Sequence, residues 1–268
     1  DEALVERLCI EHQIDVVVHF AAETHVDKSI DSVWQFMKTN IEGTLHLLEV
    51  IRRLPQMHFH HVSTDEVYGS LGDIGSFNEY SRIQPNSPYS ASKASSDHFV
   101  RAYAHTYGLS CTISHCSNNY GPGQHNEKLI PQILSCLYEG RPIPIYGRGE
   151  HIRNWLFVED HVDAIWRILS LGVRGEVYDI GSDFESTNID LAHKIIAQYR
   201  IHTGRSEQVL QERLQLVNDR PGHDFRYSID SAKIKREIGW EPAHDFTRGL
   251  AKTIDWYLKN TENLQLKR

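Results

Sequence analysis

"HFHHVSTDEVYGS", residues 58–70, decides how this chain is read. Its first seven residues set Phe59 and Val62 among three histidines before Ser63 and Thr64, and a strand is expected over His58–Thr64. The strand's end is unusual, because Thr64, Asp65 and Glu66 follow one another where a buried element stops. Adjacent carboxylates at a sheet's end repel each other and lose solvation, so a chemical role for them is the first hypothesis. Before this stretch, "SVWQFMKTNIEGTLHLLEVIRRL" (32–54) reads as a single long amphipathic helix. Further back, "IDVVVHFAA" (14–22) is a short apolar run and "EALVERLCIEH" (2–12) has helical periodicity. After it come a helix, "SPYSASKASSDHFVRAYAHTYG" (87–108), and a strand, "LSCTISHCS" (109–117). Apolar strands separated by helices predict an α/β protein with a parallel sheet covered on both faces.

The remainder is less regular. A helix is expected in "EKLIPQILSCLYEG" (127–140), a strand running into a helix in "RNWLFVEDHVDAIWRILSL" (153–171), and a strand in "GEVYDIGS" (175–182). Helices follow near 188–202, 230–238 and 247–259, with "DRPGHDF" (219–225) as a turn-rich loop.

Composition narrows the function classes. The 268 residues are 40% hydrophobic and 24% charged, with a formal net charge of −8, which gives no global support to nucleic-acid binding. No apolar stretch approaches the length of a membrane span, and the first residues lack the apolar core of a signal peptide. The four cysteines, at 9, 111, 116 and 136, make no C-x-x-C pair. They read as reduced, buried, small apolar side chains, so a cytoplasmic location is expected. His58 and His60 share one strand face, but no third ligand at suitable spacing is evident, and no metal is expected.

"YSASK" places Tyr89 and Lys93 one helical turn apart on one face. An ammonium beside a phenol favours phenolate, so Tyr89 is expected to titrate towards neutrality and to serve as a base for a sugar hydroxyl. Such a pair is common by chance. What strengthens it is its position some 20 residues after the "VSTDE" strand end.

A doubly wound dinucleotide fold begins strand, glycine-rich turn, helix. This chain opens on a helix instead, and the reading is that no G-x-x-G-x-x-G occurs anywhere to make such a turn; "GRGE" (147–150) lies late and does not join an early strand to a helix. "DVVVHF" is apolar on both faces, as interior strands of parallel sheets are. The expectation is therefore that a preceding segment of two βα units would complete the half-sheet.

"VSTDEVYG", "PYSASK" and "NNYGP", in this order, resemble the extended short-chain dehydrogenase/reductases. "HFAAETHVDKS", "STDEVYGS", "EKLIP", "RNWLFVEDH" and "DRPGHDFRY" are similar to the dTDP-glucose 4,6-dehydratase family within them. The resemblance spans nearly the whole chain. It implies NAD as a retained cofactor and dTDP-glucose or a similar nucleotide sugar as substrate. The reaction implied is C4 oxidation, loss of water across C5–C6 and return of hydride to C6, giving dTDP-4-dehydro-6-deoxy-glucose. It also implies a homodimer through helices 31–54 and 88–107. The fold implied is a Rossmann-like, doubly wound parallel sheet, N-terminally truncated, with a smaller α/β substrate-binding domain: the NAD-binding domain would be residues 1–121 with 158–182, and the nucleotide-sugar domain 122–157 with 183–268.

Roles carry over by motif. Glu66 would be the base at C5, Asp65 the acid at O6, and Thr64 a hydrogen-bond partner of O4. Tyr89 would take the O4 proton, and Lys93 would tune it and bind the nicotinamide ribose. Ala21, Ala22, Glu23, Thr24, Thr39, Ser63 and Asn119 would approach the cofactor. His25, Asp27, Asn118, Lys128 and Leu129 would border the substrate, and Pro144, Ile145 and Tyr146 the nucleotide base. Arg153 would pair with the diphosphate. Asn188 and the loop Asn218, Asp219, Arg220, Pro221 and Gly222, with His223, would close over the nucleotide. Without the resemblance, Arg153 reads as a surface residue and Asn188 as a helix cap.

Three departures from the family's pattern bear on the sugar nucleotide. Arg153-Asn154-Trp155 replaces the usual R-D-W, no aromatic precedes "EKLIP", and Thr24 stands for a more common Ser. The alternatives kept open are a UDP-sugar epimerase, a UDP-glucuronate decarboxylase and a truncated chain without turnover. The Asp65-Glu66 pair argues against the first two.

Overall fold

The computed structural model describes residues 1–264. The chain begins α1 (Glu2–Glu11), β1 (Val16–His19), α2 (Val26–Asp31) and α3 (Val33–Phe36), then a π-helical turn over Met37–Glu42 and α4 (Gly43–Arg53). It continues β2 (His58–Thr64), a 3-10 turn at Asp65–Tyr68, α5 (Pro88–Tyr107), β3 (Ser110–Cys116), β4 (Asn118–Tyr120), α6 (Leu129–Glu139) and β5 (Ile143–Tyr146). Next come β6 (Ile152–Phe157), α7 (Val158–Leu171), β7 (Val177–Ile180), β8 (Glu185–Thr187) and α8 (Asn188–Thr203). The last elements are α9 (Glu207–Gln211), β9 (Leu214–Val217), α10 (Ala232–Ile238) and α11 (Phe246–Lys259).

Four strands form a wholly parallel sheet in the order β1-β2-β3-β7. Leu48, Ile51 and Val100 pack on one face against Phe59 and Ile113, while Ile165, Ile168, Ile234 and Trp240 pack around Tyr178 and Ile180 on the other. β4 and β6 run parallel, with β8 antiparallel on β6. β5 pairs with β9, and α6, α8 and α11 bury a third apolar cluster there. A parallel sheet clad in helices is the α/β fold expected. No helix is long and apolar enough to cross a membrane among the described residues.

Local signals explain the key helix. Ser87 caps α5 by accepting from Ser90 N at 3.0 Å, Pro88 occupies the first turn, and Gly108 ends the helix at φ 69°. Two expectations need correcting. The segment 32–54 is interrupted by the π-helical turn rather than being one regular α-helix. The bulge turns Asn40 inward, where its amide exchanges hydrogen bonds with the Glu23 backbone and donates to Ser92 Oγ at 2.8 Å. Secondly, the three-residue glycine spacing does occur, at Gly69, Gly72 and Gly75. It follows the 3-10 turn and leads into loop rather than a helix, so it supplies no helix N-terminus for a phosphate.

β1 has only β2 as a neighbour among the described residues, with Val16 39% and Phe20 55% exposed. The four cysteines are free, and none is exposed. His58 contacts the Ser110 and Thr112 hydroxyls, and His60 those of Thr112 and Ser114, at 2.8–3.1 Å. These imidazoles lace β2 to β3.

Candidate active site

At the end of β2, Thr64 caps the 3-10 turn: its hydroxyl accepts from Glu66 N and donates to Asp65, each at 3.3 Å. The turn carries Asp65 inward and leaves Glu66 half-buried at the floor of a cleft. Asp65 is 2% exposed. Burial first, and then the charge of Glu66, push its carboxyl up to about 8 against the pull of Arg153. Glu66 is also raised, chiefly by burial, with Arg220, Arg153 and Lys128 opposing. The Ser90 hydroxyl donates to Glu66 at 3.3 Å. One acid of the pair is thus held protonated at neutral pH, which equips it to deliver a proton.

Tyr89 and Lys93 sit buried on α5 beside this turn. The expected drift of Tyr89 towards neutrality is not what the structure shows. Burial, followed by the Glu66 charge, raises the phenol well above its ordinary value, and the Thr64 hydroxyl is the main opposing influence. Lys93 does not dominate because its Nζ donates to the Val62 carbonyl at 2.9 Å, and burial lowers its own pKa.

A cleft of about 290 Å³ opens over Glu66. His25, Asp27, Asn118, Lys128 and Leu129 line it, as do Pro144, Ile145, Tyr146, Arg153, Asn188, Arg220 and His223. Lys128 Nζ donates to Thr24 O at 2.8 Å, and Tyr146 OH donates to Asp27 at 3.0 Å. These bonds tie residues 24–27 to the opposite wall. Arg220 has its Nε buried without a partner and lies 3.5 Å from Asp27. Arg153 is 5% exposed and already donates to the carbonyls of Ile152, Asp224 and Phe225 while lying over the Tyr227 ring. It is therefore a buried, rigidly held cation and not a surface residue. Asn188 does not cap α8, since Thr187 does so by accepting from Asp190 N; Asn188 Oδ1 is buried and unpartnered.

Other expected site residues stand apart from the cleft wall. Asn218, Pro221 and Gly222 do not line it. Asp219 instead accepts from His223 at 2.7 Å and lies 3.2 Å from His151, whose ring stacks on His223 at 3.6 Å. That His151-Asp219-His223 group has the spacing of metal ligands. Burial and then Arg220 push His223 down to about 3, and two nearby guanidinium groups make the group a poor cation site. Ser63 donates to Asp97 at 2.9 Å. The Asn119 amide donates to Ser117 O and faces His161 at 3.0 Å. Ala21 is exposed, Ala22, Glu23, Thr24 and Thr39 are half-buried, and Asn40 clamps the Glu23 backbone.

Val26, Glu127, Gln132 and Trp155 also line the cleft, and sequence reasoning missed them. Two had a signal: Gln132 is one helical turn from Lys128, and Trp155 is two strand positions from Arg153. Asn154, where the family's pattern has Asp, donates to Ser182 O at 2.5 Å and accepts from Ser182 N at 3.0 Å. A carboxylate could make only the second bond.

The donor set also suits a nicotinamide dinucleotide. Asp65 Oδ2, Ser117 Oγ and Asn118 Oδ1 are buried without partners around the C-terminal ends of β2 and β3. Crevices at that end of open parallel sheets are where dinucleotides bind.

Comparison with known proteins agrees with this geometry. Residues 1–253 match the family described as GDP-mannose 4,6 dehydratase. A dTDP-glucose 4,6-dehydratase of Xanthomonas campestris is 50% identical over 270 residues, which span 97% of this chain and 77% of that protein. The dTDP-glucose 4,6-dehydratase DesIV of Streptomyces venezuelae, solved with NAD bound, superposes with a TM-score of 0.92 at 44% identity, over 99% of this chain and 80% of its own. A UDP-glucose 4-epimerase of Thermotoga maritima shares the fold at a TM-score of 0.87 and 27% identity, over 97% and 82% of the two chains.

Proposed function

The chain belongs to the dTDP-glucose 4,6-dehydratase family of the extended short-chain dehydrogenase/reductases, and we propose on that premise how its site residues act. It is an NAD-dependent hydro-lyase that converts dTDP-glucose to dTDP-4-dehydro-6-deoxy-glucose. When bound, NAD supplies the hydride chemistry: C4 is oxidised, and the same hydride ends at C6. The observation that carries the reading is the acid pair on the 3-10 turn beside Tyr89, with Asp65 buried and Glu66 facing the cleft.

Tyr89 takes the O4 proton as its phenolate, the form that burial disfavours in the resting site and that the Lys93 ammonium on the same helix face favours, with Thr64 hydrogen-bonding O4. The 4-ketone acidifies the C5 proton, and Glu66 removes it. Asp65, protonated at neutral pH, gives its proton to O6 as water leaves, and the proton held by Glu66 returns to C5 as hydride reaches C6. A hydride-only epimerisation would leave this protonated acid unemployed. Arg153 and Arg220 present two guanidinium groups to the diphosphate, and Pro144, Ile145 and Tyr146 border the base. Residues 1–121 with 158–182 serve the dinucleotide, and 122–157 with 183–268 the nucleotide sugar.

The test is turnover of dTDP-glucose with added NAD, followed by mass loss of one water. Product from dTDP-glucose supports the reading, and epimerised sugar without water loss defeats it.

The protein acts as a cytoplasmic homodimer. Trp34 is 80% exposed, and with Met37, Ile41 and Leu45 it lines an open apolar groove. Phe99 and Tyr107 on α5 are 39% and 53% exposed. Trp34→Glu is expected to convert dimer to monomer by light scattering; an unchanged dimer would move the interface elsewhere.

A further inference from the structure

The chemistry above uses Lys93 but not the buried charges behind it. Asp97 lies one turn further along α5 and is 4% exposed. Its carboxylate accepts from Ser63 and faces His115 Nε2 and His61 Nε2, each at 3.2 Å. The other ring nitrogen of His115 faces Asp179 of β7 at 3.1 Å. Tyr68 OH donates to Asp179 at 2.9 Å and lies 2.7 Å from the same ring nitrogen. The Glu79 carboxylate accepts from Asp179 N.

An imidazole with a carboxylate at each nitrogen is a double donor, hence a cation. Burial works against the charge, but hydrogen bonds to Asp179 and Asp97 outweigh it and hold His115 at about 10. Burial, then Lys93, keeps His61 neutral at about 4. Its fully buried members set Lys93 and His115 against Asp97 and Asp179, which sum to zero, while the half-buried Glu79 carboxylate at its edge lies in the field of Lys233. An uncompensated charge at such a site is costly.

We propose that His115 is a positioning residue for Lys93: clasped between Asp97 and Asp179, it balances the buried charge so that Asp97 does not draw the Lys93 ammonium away from the Tyr89 side. This rests on Lys93 serving Tyr89 as described above. Losing His115 alone leaves two carboxylates facing one ammonium. Losing the Asp179 charge as well restores neutrality with near-isosteric amides. A packing role and a charge-balance role thus give opposite results in the double variant.

The experiment compares His115→Asn with His115→Asn/Asp179→Asn in the full chain. Two readouts are taken: steady-state kinetics with NAD and dTDP-glucose, and the titration of Lys93 by carbon-13 NMR, assigned with Lys93→Arg. In His115→Asn, kcat should fall roughly tenfold or more with little change in KM, and Lys93 should titrate at higher pH. The double variant should recover both, kcat to within about threefold of wild type. A double variant as slow as the single one, or with Lys93 unmoved in both, overturns the proposal. So does failure of both variants to fold, since the cluster would then be structural only. If His115→Asn alone fails to fold and the double variant folds, charge balance is upheld. Absence of wild-type turnover would count against the dehydratase reading, and the Lys93 titration would still decide the clasp.

Discussion

Tyr89→Phe is expected to abolish C4 oxidation and, with it, every later step, lowering turnover roughly 10²- to 10⁴-fold. The phenol is the buried group on α5 adjacent to Thr64 and the acid pair, and removing its hydroxyl leaves O4 without a proton acceptor. The ring itself stays packed, with Phe36 edge-on at 6.4 Å, so the fold and nucleotide binding should persist. The check is single-turnover absorbance of reduced cofactor together with product mass. Undiminished turnover would remove Tyr89 as the base.

Glu66→Gln and Asp65→Asn should separate the chemistry instead of stopping it at the start. Glu66 is the second-largest influence raising Tyr89, after burial, so neutralising it lowers the phenol's pKa and leaves C4 oxidation intact or faster. Exchange of the C5 proton with heavy water should be lost in Glu66→Gln, and overall turnover should fall by roughly 10²-fold or more. Asp65→Asn should keep C5 exchange and lose water elimination. If oxidation and elimination fell equally in both variants, the division of roles would be wrong.

Asp65 also predicts how stability depends on pH. Its folded pKa, about 8, lies above the ordinary 3.8, so the folded state binds the proton more tightly than the unfolded one. The stability associated with that proton is complete below the unfolded pKa and is lost as pH rises through about 8. Asp65→Asn removes the penalty. The variant should melt higher than wild type at alkaline pH, by on the order of a few kcal/mol, and equally at acid pH. A melting difference that ignores pH would mean Asp65 is not buried as a neutral acid.

Much of the fold was legible because periodicity reports which faces are buried. Short strand-like segments at His58–Thr64 and Ser110–Cys116, with helical patterns between them, are enough to specify parallel β2 and β3. The acid pair and the Tyr89-Lys93 spacing were legible for the same reason, being local in sequence. Short strands such as β4, β8 and β9 were not, since three or four residues carry too little pattern to separate strand from loop. The π-helical turn escaped because one extra residue in a helix hardly alters its apolar spacing.

What the sequence determined by itself was the order of elements, the identity of the chemical groups and the helical neighbours among them. What only the tertiary structure decided was their electrostatic state. Whether Asp65 is protonated, whether Lys93 or Glu66 governs Tyr89, and whether His115 is charged all depend on burial and on partners from distant segments. Asp97 and Asp179 lie 18 and 64 residues from His115 in sequence, yet each comes within 3.2 Å of its ring. No local pattern encodes such contacts, because desolvation and charge pairing depend on distance in space and not on distance along the chain.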